Sequence, residues 1–327
     1  MKAAVCTAYG GPQVVAVRDL ADPLVKPDEV LIRVHATTVA SGDARIRGSR
    51  FPSGFWLAAR LMFGLARPRK TILGTECAGI VEQAGSRVTR YQPGDRVFAF
   101  SGAKLGCHAE LVAMREDGAI APIPNGYSFE EAAAISFGGT TALYFLRDLG
   151  KLKAGERVLV NGASGTVGTA VVQLARHLGA HVTGVCSADH AELVRSLGAH
   201  EVIDYRSEDF ARRGARWDMI LDVVGTAPFA RCSQALTENG RLLLVVAGLG
   251  DMLKAPLQSR TGGRRVLAGT APDRAGDIVP LKGLCEAGAY RPVIDSCYPL
   301  ERIVEAHARV DTGHKAGSVV VTIPIPT

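Results

Sequence analysis

The 327-residue chain lacks the cysteine patterns that organise disulfide scaffolds and structural zinc sites. Its seven cysteines are odd in number and widely spaced, and no two of them form a C-x-x-C pair. A disulfide framework and a cysteine-rich metal site are therefore not expected, and buried, inert thiols are the simplest interpretation.

Long apolar runs and a strong charge of one sign are also missing. The uncharged run 132–146 is shorter than the roughly 18–20 residues of a membrane span, and it is interrupted by glycines and threonines. The first residues, Met1–Val5, are typical of a strand rather than of a signal peptide, so a cytoplasmic protein is expected. The net charge is only +6, which argues against a nucleic-acid partner. Arg67, Arg69 and Lys70 form the one tight basic cluster, which we interpret as solvated surface.

A glycine-rich turn is the most informative feature that is present. Residues 157–168 (RVLVNGASGTVG) combine a β-branched strand with Gly162, Gly165 and Gly168, and apolar residues then recur at helical spacing. The glycines thus lie at a helix N-terminus, where backbone N–H groups and the helix dipole favour an anion such as a pyrophosphate. The spacing G-x-x-G-x-x-G departs from the common G-x-G-x-x-G, so a strand-to-helix turn without a ligand is the alternative.

The segments after this turn favour the dinucleotide interpretation. Apolar strands alternate with helices, as in a parallel sheet covered on both faces. The predicted strands are His181–Cys186, Glu201–Tyr205, Asp218–Val224, Arg241–Val246 and Arg265–Thr270. The pattern predicts an α/β fold with a doubly wound parallel-sheet domain.

The first 124 residues have a different character. Short strands broken by glycine and proline predict a β-rich barrel or sandwich, and a Ser-Phe-Glu-Glu capping box at 128–131 begins a helix. The predicted strands are Lys2–Thr7, Val14–Arg18, Glu29–Ala36, Cys77–Gln83, Arg96–Phe100 and Ala109–Ala113. The tail ends in a strand, Ser318–Ile323, that needs a sheet to join. We therefore expect a dinucleotide-binding domain, 125–271, inserted into a β-rich domain formed by 1–124 and 272–327.

Five short motifs occur in order along the chain. They are Gly74–Gly79 (GTECAG), Gly94–Val97 (GDRV), Gly139–Ala142 (GTTA), Asn161–Gly168 (NGASGTVG), and Leu197–Ala199 (LGA) followed by Val202–Tyr205 (VIDY). With these motifs nearly the whole chain resembles the medium-chain dehydrogenase/reductase superfamily, and within it the zinc-independent quinone oxidoreductase-like group. The resemblance implies a GroES-like catalytic domain, an inserted Rossmann domain, NADPH as the hydride donor and a homodimer.

Departures from this superfamily bear on the candidate catalytic residues. Zinc-dependent members carry a cysteine near position 41 and a histidine near position 75, whereas Ser41 and Thr75 stand here, so no metal is expected. Many quinone oxidoreductase relatives have an asparagine where Ala40 stands. The candidate catalytic residues are therefore Ser41 and Thr75, as hydrogen-bond donors to a substrate oxygen, and Asp43, which would orient the loop. Hydroxyls bonded to nearby backbone are the alternative for both donors.

The expected cofactor is NADPH, with NADH possible. The second strand of the parallel sheet ends in Cys186-Ser187 instead of the acidic residue that binds the NAD ribose, which leaves space for a 2′-phosphate. Asp189 would oppose that phosphate, and His190 would help only when protonated. The candidate cofactor residues are Thr141, Gly162, Ser164, Gly165, Thr166, Val167, Gly168, Ser187, His190, Tyr205, Val246, Ala247, Gly248 and Thr270.

Residues 51–65 are rich in large apolar side chains and precede the Gly74 motif, a region that borders the active-site mouth in the superfamily. The candidate substrate-pocket residues are Phe51, Phe55, Trp56 and Phe63. A lid over a hydrophobic substrate, core packing of a short helix and transient membrane contact are all compatible with this segment. Membrane contact has the least support, because the segment is short and lacks a clean polar face.

These observations predict NADPH-dependent, zinc-independent reduction of a quinone or of the C=C bond of an α,β-unsaturated ketone. The expected partner is a small hydrophobic substrate, without nucleic acid or membrane. A metal-free carbonyl or alcohol oxidoreductase is one alternative. A nucleotide-binding structural or regulatory protein without turnover is another.

Overall fold

The computed structural model describes residues 1–259 and 263–324, which form two compact units. The first unit contains Met1–Phe51, Trp56–Phe137 and the chain from Asp273 onward, and the second contains Pro52–Phe55 and Gly138–Pro272. Both chain ends therefore contribute to the first unit.

The strands of the described residues are β1 (Lys2–Cys6), β2 (Val15–Asp19), β3 (Glu29–Val39), β4 (Glu76–Ala84), β5 (Arg96–Phe100), β6 (Leu111–Arg115), β7 (Ile120–Pro122), β8 (Arg157–Asn161), β9 (His181–Cys186), β10 (Glu201–Asp204), β11 (Trp217–Asp222), β12 (Leu236–Leu244), β13 (Arg265–Ala268), β14 (Ile294–Pro299) and β15 (Ser318–Thr322).

The α-helices of the described residues are α1 (Ser41–Gly48), α2 (Trp56–Phe63), α3 (Phe129–Ala133), α4 (Ser136–Leu143), α5 (Thr166–His177), α6 (Ala191–Ser196), α7 (Phe229–Cys232), α8 (Leu249–Gln258), α9 (Ile278–Glu286) and α10 (Ile303–Asp311). The segment Tyr144–Leu149 continues α4 as a π-helix.

The first unit is built around a seven-stranded mixed sheet. Its strand order is β14-β15-β3-β4-β5-β7, with β6 also paired to β3, and β1 and β2 form a separate antiparallel pair. The last strand, β15, lies between β14 and β3, and its Val319, Val320 and Val321 are fully buried. The predicted terminal strand thus joins the sheet that the N-terminal segment forms.

The second unit contains a six-stranded parallel sheet in the order β10-β9-β8-β11-β12-β13. Counted from β8, this is the 3-2-1-4-5-6 order of doubly wound dinucleotide-binding folds. Its central strands β8, β9 and β11 are mostly apolar and buried on both faces, which is why the sequence pattern identifies them.

The structure differs from the sequence-based expectation in the extent of the first unit and in several helices. The first unit extends to Phe137 instead of residue 124, because α3 packs on β3 and β4. The capping box that begins α3 is present, with reciprocal bonds between Ser128 and Glu131. The sequence analysis did not assign helices α1 and α8, and it gave a short helix at α2 only as one of three alternatives, because these helices have only eight to ten residues each. No helix of the described residues is long and apolar enough to cross a membrane.

Candidate functional site

The glycine-rich turn connects β8 to α5 in the second unit. Gly162 follows β8 with φ of +90°, which disfavours any side chain there. A Cβ on Gly168 would overlap the Gly162 carbonyl oxygen and lie 2.8 Å from Ala163 Cα, so α5 requires glycine at this position. Gly165, the N-cap of α5, differs: among the described residues its Cβ would meet only the Gly162 oxygen, at 3.8 Å. The space beside Gly165 is therefore open to a diphosphate at a helix N-terminus.

The other predicted cofactor residues follow the strands of the same parallel sheet, except Thr141, which lies in α4. Ser164, Thr166 and Val167 belong to the glycine-rich turn and the start of α5, Ser187 and His190 follow β9, Tyr205 follows β10, Val246, Ala247 and Gly248 follow β12, and Thr270 follows β13. Because the carboxyl ends of parallel strands share one edge, the sheet gathers these residues where such folds bind nucleotides.

The ends of β9 and β10 contain a basic residue that sequence reasoning missed. Ser187 is buried, and the exposed Asp189 forms an ion pair with Arg206, with Oδ2 and Nη1 3.2 Å apart. Arg206 also lies over the ring of the half-exposed Tyr205, 5.9 Å from its centroid. Asp189 therefore faces a guanidinium, which is a cation suited to a 2′-phosphate. The signal was the arginine that directly follows Tyr205 of the VIDY motif.

A buried hydrogen-bond network fixes the strand ends beside the turn. Asn161 Nδ2 donates to Asp222 Oδ1 and to Thr226 Oγ1, both at 2.9 Å. The Asp222 carboxylate also accepts the backbone N–H groups of Val224, Gly225 and Ala227. A single buried carboxylate thus holds the loop after β11 against the end of β8.

In the first unit, Asp43 connects two loops. Its fully buried carboxylate accepts the Ala40 N–H at 2.8 Å and the Gly74 N–H at 2.9 Å. Burial raises the pKa of Asp43, and the neighbouring His108 opposes this shift. Asp43 therefore fixes the backbone directly before Ser41 and directly before Thr75. Ser41 itself is exposed at the start of α1.

Thr75 is buried, with 7% of its surface exposed. Its backbone oxygen accepts the N–H groups of Ser101 and Gly102, but Oγ1 has no hydrogen-bond partner within residues 1–259 and 263–324. A buried hydroxyl without a partner costs about 1–3 kcal/mol. The Thr75 hydroxyl is thus a donor that a bound oxygen would satisfy.

Glu76 follows in the chain and was not among the predicted site residues. Its fully buried carboxylate accepts the Thr38 hydroxyl and the Phe137 N–H, both at 2.6 Å. Burial raises the pKa of Glu76 to about 7. Glu76 therefore ties β4 to β3 and to the start of α4 beside Thr75. The only sequence signal was an acidic residue directly before the apolar segment 77–81.

The four predicted pocket aromatics occupy different environments. Phe51 and Phe63 stack with centroids 5.9 Å apart and pack against the core of the first unit. Trp56 is 55% exposed, whereas Phe55 is half-buried and belongs to the second unit. The first two have a packing role in the structure, and contact of any of the four with substrate stays a prediction.

Hydroxyls at positions 41 and 75 are a poor donor set for zinc, which prefers thiolate, imidazole and carboxylate ligands. Within the part of the chain that the structure describes, no group of three or more His, Cys, Asp or Glu side chains is placed to hold a metal ion. The residues present therefore do not fit the zinc site of metal-dependent relatives.

Comparison with known proteins is consistent with this architecture. Residues 26–125 match the family model described as an alcohol dehydrogenase GroES-like domain, and residues 197–321 match the one described as a zinc-binding dehydrogenase. The quinone oxidoreductase of Pseudomonas aeruginosa is 32% identical over 96% of this chain and 97% of its own length. The human quinone oxidoreductase is 30% identical over 97% and 95%, respectively. The solved quinone oxidoreductase from Coxiella burnetii has a TM-score of 0.86, at 27% identity and 99% coverage of both chains.

Proposed function

The chain belongs to the quinone oxidoreductase-like group of the medium-chain dehydrogenase/reductase superfamily and is an NAD(P)H-dependent oxidoreductase, and within that group we propose that it uses NADPH to reduce quinones or the C=C bond of α,β-unsaturated ketones. NADPH, when bound, supplies the hydride that the β-carbon or the quinone accepts. The chain supplies binding, orientation and stabilisation of the developing negative charge.

The open space beside Gly165 is the observation that carries this proposal. Gly162 and Gly168 are required by the turn itself, whereas Gly165 leaves backbone free for a diphosphate to approach. Arg206 supports the preference for NADPH, because it can pair with a 2′-phosphate in exchange for Asp189. Ser187 would add a hydroxyl to the same site.

Thr75 and Ser41 would act on the substrate oxygen. During hydride transfer, negative charge moves onto the carbonyl oxygen of an enone or a quinone, and a fixed hydroxyl donor stabilises it. The Thr75 hydroxyl is buried without a partner among the described residues, so this bond would cost no existing hydrogen bond. Asp43 and Glu76 would be positioning residues, since their carboxylates hold the backbone around both donors.

A zinc ion is not part of this proposal, because the two hydroxyls stand where metal-dependent relatives carry ligands. Delocalisation in a conjugated substrate lowers the need for a Lewis acid. The final proton would come from water. A homodimer and a cytoplasmic location, both expected from the sequence, stay predictions.

A matched substrate pair tests the reaction class. Turnover of an enone should exceed turnover of the corresponding saturated ketone by at least about 100-fold, because conjugation spreads the charge that hydride addition leaves on the enone, whereas a saturated ketone concentrates it on an alkoxide. Equal rates would support the metal-free carbonyl oxidoreductase instead. Tight NADPH binding without oxidation by any quinone or enone would support a binding protein without turnover.

Cofactor preference is tested by Arg206→Ala. Loss of one charge-assisted phosphate contact should raise the KM for NADPH about tenfold and leave the KM for NADH nearly unchanged. Arg212→Ala, which removes an exposed arginine on the same unit, is the matched control. Equal effects on both nucleotides would remove Arg206 from the 2′-phosphate site.

A further inference from the structure

In helix α2 the one charged residue faces the protein and most of the large apolar residues are exposed, whereas an ordinary surface helix exposes its charged residues. Its one charged residue, Arg60, turns toward the protein, where the guanidinium lies 4.0 Å above the Tyr9 ring and donates to Ser49 Oγ. Leu57 and Leu61 face outward and are 59% and 52% exposed. Contact with water alone does not explain an exposed apolar helix face, and such faces often mark sites of interaction.

The exposed apolar surface continues beyond these two leucines. Trp56 is 55%, Met62 66% and Leu65 56% exposed. The five side chains fall within ten consecutive residues, and only Arg60, which turns inward, is charged in this stretch.

A basic cluster follows directly in the chain. Arg67, Arg69 and Lys70 are exposed, and Lys70 Nζ donates to the carbonyl oxygen of Lys104, a fourth exposed basic residue. The stretch 44–75 contains seven basic and no acidic residues, whereas the remainder of the chain contains 31 basic and 32 acidic residues. The whole positive excess of the protein therefore lies in this one stretch.

We propose that the α2 surface, defined as Trp56, Leu57, Leu61, Met62 and Leu65 with Arg67, Arg69 and Lys70, docks the protein reversibly on an anionic lipid bilayer. The leucines, the methionine and the tryptophan would enter the boundary between head groups and acyl chains, and the basic residues would pair with lipid phosphates. The helix has eight residues, so it would lie at the surface and not span the bilayer.

Charge favours a lipid surface over a second copy of the chain. A twofold contact through the α2 surface would bring two basic clusters near each other with no acidic residue of the same stretch between them. The charge-poor apolar helix face likewise does not match a nucleic acid. Docking on a bilayer does not require the protein to turn over substrate, so this proposal goes beyond the proposed reaction. If docking is not observed, the proposed reaction is unaffected.

The test is co-sedimentation of the full-length protein with vesicles of phosphatidylcholine alone or with about one-third phosphatidylglycerol. The wild type should bind the anionic vesicles at least about tenfold more tightly than the neutral ones, and salt should weaken that binding. Leu57→Ser/Leu61→Ser and Arg67→Glu/Arg69→Glu should each reduce it at least about tenfold.

Two matched double variants serve as controls. Leu253→Ser/Leu257→Ser alters leucines of α8 that are 72% and 68% exposed and have the same i,i+4 spacing, and Arg212→Glu/Arg216→Glu reverses two exposed charges elsewhere. Both should bind like the wild type. Reduction of a water-soluble quinone should stay unchanged in all four variants.

Three results would overturn the proposal. The first is wild-type protein that stays in the supernatant with both vesicle types or binds them equally. The second is an equal loss of binding in the α2 and control variants. The third is a wild type that does not bind vesicles together with a Leu57→Ser/Leu61→Ser variant whose molecular mass in light scattering is lower than that of the wild type. This result would identify a second copy of the chain as the occupant of the α2 surface.

Discussion

Thr75 and Glu76 are neighbours in the chain but have opposite hydrogen-bonding states. The Glu76 carboxylate has a partner on each oxygen, whereas the Thr75 hydroxyl has none among the described residues. Glu76 therefore has a structural explanation within the protein. The unpaired Thr75 hydroxyl is available for the proposed bond to a substrate oxygen, and such a bond would satisfy a buried polar group that the protein leaves without a partner among the described residues.

Replacement of Thr75 by valine separates stability from activity. The shapes are nearly equal and valine removes a buried hydroxyl without a protein partner, so the free energy of unfolding should stay the same or rise slightly. In contrast, kcat/KM for a quinone or an enone should fall about 10- to 100-fold, because the donor to the developing oxyanion is lost. Denaturant unfolding and steady-state kinetics measure the two effects. Thr75→Ser should retain most activity, and an active valine variant would exclude the hydroxyl from catalysis.

The raised pKa of Glu76 predicts a specific pH dependence of the free energy of unfolding. Its pKa is about 7 in the folded protein against an ordinary 4.5, so the folded state binds this proton more tightly than the unfolded state. The wild type should therefore lose stability from this group as the pH rises from about 5 to 8, by at most about 3 kcal/mol. Glu76→Gln does not titrate, so its stability relative to the wild type should improve over that range. A difference in unfolding free energy that is independent of pH would contradict the shifted pKa.

At the scale of elements, the strand-to-helix turn from β8 to α5 was predictable and the catalytic loops were less so. The turn depends on glycines that are close in sequence and on a regular apolar strand and helix beside them. The state of Glu76 depends on Thr38 and Phe137, which lie 38 and 61 residues away. Such partners are set by sheet pairing, which the local pattern does not contain.

The same distinction explains what was missed on α2. Its apolar residues were visible in the sequence, but their exposure depends on which side of the helix packs against the first unit. Phe51 and Phe63 stack against the core, and Arg60 pairs with Tyr9 and Ser49, which leaves the leucines outside. The helix has only eight residues, too few for a reliable apolar periodicity.

The glycine-rich turn allows the structural and the ligand-binding glycines to be distinguished. Gly168→Ala would force a Cβ into the backbone of Gly162 and Ala163, so it should destabilise the protein by about 3 kcal/mol. Gly165→Ala meets open space and should cost no more than about 1 kcal/mol. Its methyl group would nevertheless occupy the approach to the backbone and raise the Kd for NADPH at least about tenfold.

Thermal unfolding and calorimetric titration of both variants with NADPH check this prediction. A stable Gly165→Ala variant that binds NADPH like the wild type would place the diphosphate elsewhere. Gly155→Ala is unsuitable as a control because its φ is +82°, whereas Gly276→Ala, where a Cβ meets nothing within 4 Å among the described residues, is suitable.

At the scale of the whole molecule, the two sheets are made from different parts of the chain. The parallel sheet uses only strands between Arg157 and Ala268, and it has its own buried core. The mixed sheet of the first unit needs both chain ends, since β15 lies between β14 and β3. Damage to β15 should therefore affect the two sheets unequally.

Val321→Asp tests this consequence of the topology. Val321 is fully buried in the core of the first unit, opposite Thr37 and Tyr298 in the adjacent strands, and an unpaired carboxylate there should cost several kcal/mol. Hydrogen exchange should show strongly reduced protection of β3, β4 and β15 amides, whereas amides of β8, β9 and β11 should keep most of theirs. Cys297→Asp, which places the same charge on an exposed residue of the neighbouring strand, should leave both sheets protected. If the Val321 variant instead lost protection equally in both sheets, the two units would unfold as one cooperative body, and the separate core of the parallel sheet would not sustain it alone.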